Sequence, residues 1–92
     1  MTIDETLKQR GGRYGSLEDN AEVAQMLMKV VEIYGSNHSQ LQNPHKEALH
    51  MIFHKIARMV CGDVMYSDNM HDIAGYAKLL EDWQLEQGEQ NG

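Results

Sequence analysis

The chain has 92 residues and carries 14 acidic against 8 basic side chains, a formal net charge of −6. This length suits a single domain, and an acidic balance without a run of Lys or Arg argues against binding to a nucleic-acid backbone. A single cysteine, Cys61, excludes an intramolecular disulfide and a zinc ribbon. The sequence has no apolar run near the roughly twenty residues of a membrane span and no signal-peptide core, so we expect a cytoplasmic protein without membrane contact.

The N-terminal segment predicts a short first helix over residues 2–10, with Ile3 and Leu7 four residues apart. Gly11 and Gly12 are expected to break this helix. The patch that follows contains Arg13 and allows two interpretations. It is either a connection between helices with a packed tyrosine, or a glycine-rich loop whose backbone approaches a phosphate with Arg13 as a ligand.

A second, long helix is predicted over residues 17–34, begun by Ser16 with Asp19 three residues later. Its apolar residues fall into two stripes, so both faces need a cover. Either the helix is central in a monomer, or it forms a seam between copies of the chain. The first stripe consists of Leu17, Ala21, Ala24, Met28 and Val31. The second contains our candidate interaction surface, Val23, Met26, Val30 and Ile33, together with Leu27 and Tyr34.

The C-terminal half predicts a helical hairpin. Pro44 suits a first helical position, apolar residues then recur at steps of three and four, and Gly62 favours a helix end near residue 61. A new helix begins at Ser67 or Asp68, and the short connection implies antiparallel neighbours. We therefore predict an all-α fold of three to four helices, with an antiparallel hairpin (about 44–61 and 68–86) packed on a long central helix (about 17–34). The helical domain spans residues 1–86, and residues 87–92 are a flexible tail.

Opposite charges flank the turn of this hairpin. Lys55 and Arg58 end the first helix, and Asp68 and Asp72 begin the second, so antiparallel packing places them side by side. One interpretation is an ion-pair latch that holds the hairpin closed. The other is a site in which Lys55 and Arg58 bind phosphate oxygens while Asp68 and Asp72 hold Mg²⁺.

A second candidate for metal binding lies on the first hairpin helix. Glu47, His50 and His54 follow an E-x-x-H-x-x-x-H spacing that brings them near one face. On the next helix Asp68, His71 and Asp72 form a second triplet, and the two triplets would make a metal site with nitrogen and oxygen ligands if the hairpin brought them together. Glu47 joins Asp68 and Asp72 in the candidate magnesium set, and scattered solvent-facing or capping histidines are the alternative. We expect His38 and His45 to be surface residues.

Three blocks resemble a group of short uncharacterised helical domains encoded mainly by bacteriophages and prophages. The blocks read RGGRYGSLEDNAEVAQML, EALHMIFHKIARMVCGD and DNMHDIAGYAKLLE, and together they cover most of the chain. The resemblance implies a small phage-type accessory protein in the cytoplasm of a host cell.

The helix that begins at Asp68 reads D-x-x-x-D-I-A-G-Y and is distantly similar to the acidic helix of all-α MazG-like nucleotide pyrophosphohydrolases. Those enzymes bind Mg²⁺ through an E-E-x-x-E helix and an E-x-x-D helix. Here Asn69 stands where the Glu of E-x-x-D would lie before Asp72, and Lys55 and Arg58 stand where a carboxylate cluster is expected. The resemblance implies a nucleotide ligand and Mg²⁺.

The sequence thus supports two hypotheses about function. In the first, the protein binds a host protein, a phage protein or itself, has a regulatory or inhibitory role, and needs no cofactor. In the second, it is a Mg²⁺-dependent nucleotide pyrophosphohydrolase or a nucleotide-binding protein. Whether the chain is an enzyme is left open.

Overall fold

The computed structural model describes residues 1–38 and 40–91, with side chains only as far as residue 88. All regular secondary structure in this part of the chain is α-helical. Four α-helices follow one another: α1 Ile3–Tyr14, α2 Leu17–Gly35, α3 Asn43–Cys61 and α4 Ser67–Asn91. The all-α fold with a helical hairpin is therefore confirmed, and the observed bounds of α2 and α3 lie within one residue of the predicted ones.

Helix α1 runs through the glycine pair that was expected to break it. The side chain of Thr2 caps its N-terminus by accepting a hydrogen bond from the Glu5 amide at 3.1 Å, and the helix ends only at Tyr14. Gly11 and Gly12 each destabilise a helix by about 1 kcal/mol relative to alanine. The last turn of α1 packs on α3 and on Tyr66. Gly11 and Gly12 therefore lie within a helix and do not form the predicted loop.

The actual break between α1 and α2 is Gly15. Its backbone has a φ of 84°, a conformation that favours glycine. Ser16 then caps α2 by accepting a hydrogen bond from the Asp19 amide, as predicted. The Asn20 amide group donates to the carbonyls of Tyr14 and Ser16, both at 2.7 Å, and so fixes the corner between the two helices.

The hairpin of α3 and α4 is antiparallel. At its open end, His45 Nδ1 accepts from the Gln42 amide at 3.1 Å, and His45 Nε2 lies 3.0 Å from Gln84 Oε1. The His45 ring also meets Trp83 edge-on with centroids 5.2 Å apart. His45 is thus half-buried in the interface between the two helices, and its prediction as a surface residue is wrong. His38 is exposed, as expected.

Helix α4 continues to Asn91, beyond the boundary at residue 86 that the sequence predicts. His45 and Gln84 meet near the start of α3, so the last turns of α4 extend past the beginning of α3. None of the described helices is long and apolar enough to cross a membrane.

The helices form an open array with α3 in the middle. α1, α2 and α4 all pack on α3, whereas α2 and α4 contact each other at most marginally. Among described residues the buried apolar side chains are small: Ala24, Ala48 and Ala57. The accessible surface is 6960 Å², whereas a compact monomer of this mass has about 5,400 Å². The single chain therefore leaves an unusually large surface uncovered.

Candidate functional site

The turn end of the hairpin holds one of the two predicted ion pairs. Lys55 Nζ lies 3.1 Å from Asp72 Oδ2, and the Lys55 side chain is only 13% exposed against 42% for Asp72. A lysine this deeply covered needs a partner, since an unpaired charge in such surroundings loses its hydration. The pair connects α3 to α4 as a latch.

The second predicted pair does not form, because Arg58 and Asp68 have other partners. The Arg58 guanidinium lies over the ring of Tyr14, 4.8 Å from its centroid. Asp68 accepts a hydrogen bond of 2.9 Å from the Tyr66 hydroxyl, which raises the pKa of that phenol. Arg13 lies over the Tyr66 ring at 5.2 Å, and the two tyrosine rings meet edge-on, 5.7 Å apart.

These five side chains, Arg13, Tyr14, Arg58, Tyr66 and Asp68, form what we call the tyrosine cluster. It joins the end of α1 to the end of α3 and the start of α4. The backbone adds a further link, since the Asp63 amide donates to the Arg13 carbonyl at 2.8 Å. Two of the three candidate phosphate ligands, Arg13 and Arg58, therefore stabilise a junction between helices through cation–π contacts.

The candidate magnesium residues do not come together. Glu47 lies beside a groove of 270 Å³ with Leu80 and Trp83, and it is eight residues from Lys55, the partner of Asp72, which is about 12 Å along α3. Asp68 and Asp72 are each held by another side chain. Among the side chains that the structure describes, in residues 1–38 and 40–88, no group of three His, Cys, Asp or Glu is placed to hold a metal ion.

Asn69, at the position where the MazG-like resemblance expects a metal ligand, lies in the interior of the protein. Asn69 is 1% exposed, and its amide nitrogen has no hydrogen-bond partner among the described residues. A carboxylate at this position would be buried without reaching solvent or a bound ion. The residues present therefore do not fit the magnesium site of those enzymes.

His50 and His54 stack on each other, with ring centroids 4.8 Å apart and an interplanar angle of 11°. Partial burial lowers the pKa of His54, and the positive charges of His50, Arg58 and Lys55 lower it further. The neighbourhood of His54 is therefore electropositive within an acidic protein.

That electropositive region borders a cavity of 540 Å³ between α1, α2 and α3. Arg10 and Arg58 contribute its cationic groups, His54 adds an imidazole, and Tyr14 forms part of the wall. Arg10 and His54 were not predicted for this role. No sequence signal indicates this role, because the cavity forms only where α1, α2 and α3 come together in the fold.

The candidate interaction surface on α2 is largely open to solvent. Met26, Val30 and Ile33 are 63%, 54% and 53% exposed, and Val23 is half-buried. We call these four residues the outer stripe. The opposite face of α2 packs on α3 through Ala24 with Met28 and Val31 partly covered. A single chain thus covers one apolar face of α2 and leaves most of the outer stripe exposed.

A family model described as a domain of unknown function, DUF6378, matches residues 3–84, so the chain belongs to the DUF6378 family. No curated protein and no solved structure matches the chain.

Proposed function

We propose that this member of the DUF6378 family is a small phage-type accessory protein that works by binding another protein chain through the outer stripe of α2. The observation that carries the proposal is the exposure of Met26, Val30 and Ile33 in one line along a helix. Single exposed apolar residues are ordinary on protein surfaces, whereas a contiguous apolar patch marks an interaction site.

The occupant we propose for the outer stripe is a second copy of the chain. Protein domains are built from at least two packed layers, and α2, α3 and α4 form an open array in which the outer face of α2 has no layer against it. A second copy would supply that layer.

The uncovered surface is large enough for an interface with a second copy of the chain. The chain exposes about 1,500 Å² more than a compact monomer of its mass, and a stable interface of standard size takes about 800 Å² from each partner. Leu85, near the end of α4, is 59% exposed and contributes to the excess. The outer stripe also contributes, and it supplies the apolar centre that such interfaces need.

The proposed setting is the cytoplasm of a bacterial host cell. The support for this setting is the resemblance of three sequence blocks to domains encoded by phages and prophages. A regulatory or inhibitory role is consistent with a small acidic protein whose main functional feature is the outer stripe, a surface for binding another chain.

The proposal is tested by sedimentation of the wild-type chain and of two matched variants. Val30→Glu places a charge in the outer stripe, and Val60→Glu is the control, because Val60 is 62% exposed at the end of α3. We expect the wild type and Val60→Glu to dimerise and Val30→Glu to dissociate at least about tenfold more readily, because a buried unpaired charge is costly.

The circular dichroism spectra of both variants must show the wild-type helix content. A wild-type chain that remains monomeric at about 100 μM, where a standard-size interface is expected to be occupied, overturns the choice of a second copy as occupant. Equal dissociation of both variants overturns the assignment to the outer stripe.

The alternative function, a Mg²⁺-dependent MazG-like nucleotide pyrophosphohydrolase, has less support. Asp72 is paired with Lys55, and Asp68 is hydrogen-bonded to Tyr66. Glu47 lies about two turns of α3 away from Lys55. We derive no reaction step from this arrangement.

A further inference from the structure

We propose that the cavity between α1, α2 and α3 binds a small organic phosphate, a phosphate monoester with an apolar body. The cavity has a volume of 540 Å³, which lies within the range of about 300–1,000 Å³ that small-molecule sites occupy. It is separate from the outer stripe and adds a ligand to the protein-binding function proposed above.

The charge of the lining selects an anion. The ionisable groups around the cavity are Arg10, Arg58 and His54, with the phenol of Tyr14, and no Asp or Glu is among the described residues that line it. This absence of carboxylates stands out in a chain with a net charge of −6. Two arginines in the lining of one cavity favour phosphate, whose oxygens accept paired N–H donors.

The geometry of Arg58 is fixed before any ligand arrives. Its guanidinium lies over the Tyr14 ring at 4.8 Å, so little side-chain entropy is lost when its N–H groups bind an anion. The first turn of α2, beginning after Ser16, also borders the cavity and contributes the partial positive charge of a helix N-terminus. Arg58 is therefore organised for an anion in the free protein.

The remaining wall explains why the ligand should carry an apolar body. Leu7 and Leu17 are exposed leucines, and both line the cavity together with Ala21 and Ala24. A ligand that places a phosphate at the arginines and an apolar group between these leucines would cover surface that is otherwise in water. Inorganic phosphate leaves that surface uncovered and should bind more weakly.

The test uses the full chain and phenyl phosphate as the probe, with phenol and inorganic phosphate as comparisons in isothermal titration calorimetry. We expect phenyl phosphate to bind more tightly than inorganic phosphate, and phenol to show no binding. Arg10→Gln should weaken phenyl phosphate binding about tenfold, the loss of one charged hydrogen bond. Lys8→Gln is the control, since Lys8 is exposed on the same helix, outside the cavity lining.

Amide chemical shifts locate the ligand. Phenyl phosphate should shift the amides of Ala21 and Ala24 and leave those of Met26 and Val30 unchanged. Equal weakening by Arg10→Gln and Lys8→Gln would show attraction by net charge alone, and would overturn the proposal. Binding of phenol as tightly as phenyl phosphate, shifts confined to the outer stripe, or no binding of phenyl phosphate would overturn it as well.

Discussion

Gly62 lies directly against the backbone carbonyl of Arg13, so close that a Cβ atom on Gly62 would overlap that carbonyl. Gly15 has the reciprocal position, because a Cβ there would lie 2.5 Å from the Cys61 carbonyl oxygen. The end of α1 and the end of α3 thus cross backbone to backbone. Alanine fits at neither glycine without moving a main chain.

The glycines therefore divide into two classes with opposite responses to alanine. Gly62→Ala should lower the free energy of unfolding by about 2 kcal/mol or more, because overpacking against backbone forces a shift. Gly11→Ala should raise it by up to about 1 kcal/mol, since Gly11 is helical and has open space around its Cα. Chemical denaturation of both variants measures the two values. A stable Gly62→Ala chain would contradict the crossing.

The ion pair between Lys55 and Asp72 should contribute to stability through its partial burial. Lys55→Met and Asp72→Asn are each expected to lower the free energy of unfolding by about 1–2 kcal/mol, between the values for exposed and fully buried pairs. A double-mutant cycle isolates the coupling between the two side chains.

The matched control for this latch is the pair Lys78–Asp82, whose lysine is 66% exposed against 13% for Lys55, although Lys78 Nζ and Asp82 Oδ1 are only 2.6 Å apart. Its coupling should be smaller than that of Lys55 with Asp72, because solvent screens exposed charges. Equal coupling in both cycles would show that burial of Lys55 has no effect.

Stability should fall on mild acidification because of His54. In the folded chain its pKa lies below the ordinary value of 6.5, so between those two values the unfolded chain binds more protons. The contribution of His54 to the free energy of unfolding is therefore complete above about pH 6.5 and decreases as the pH falls towards the folded pKa. In His54→Gln this part of the pH dependence should be missing. The comparison is made by denaturation at several pH values, with His71→Gln, an exposed site on α4, as the control. An unchanged slope in His54→Gln would refute the assignment.

Magnesium should not increase the effect of nucleotides on thermal stability. A ligand raises the melting temperature according to its concentration relative to its dissociation constant, and the carboxylates of Glu47, Asp68 and Asp72 do not converge on one ion. Thermal denaturation with nucleoside mono-, di- and triphosphates, with and without Mg²⁺, checks this. A Mg²⁺-dependent shift that Asp72→Asn abolishes while Asp82→Asn retains it, both variants being folded, would instead favour the MazG-like function.

Local patterns were enough to predict the helices. The 3.6-residue period of the apolar residues, the cap at Ser16, Pro44 and Gly62 gave the bounds of α2 and α3 because these signals act within one or two turns. The same reasoning failed at Gly11 and Gly12. The contacts that keep α1 helical there come from Tyr66 and Arg58, which are distant in sequence.

For the candidate site, the sequence indicated that bases and acids would meet at the hairpin turn, since an antiparallel connection requires it. Which charges pair was decided by packing. Lys55 forms an ion pair with Asp72, whereas Arg58 lies over the ring of Tyr14, the last residue of α1, and does not pair with Asp68.

The sequence by itself determined that α2 has two apolar faces, because the spacing of its residues fixes where they lie around the helix. Only the tertiary structure decided which face is covered. Ala24 is buried against α3, while Val30 faces solvent, because α2 and α4 both pack on α3 and none of the four described helices lies over the outer stripe. Contacts between distant elements set both this open stripe and the cationic cavity beside Arg58.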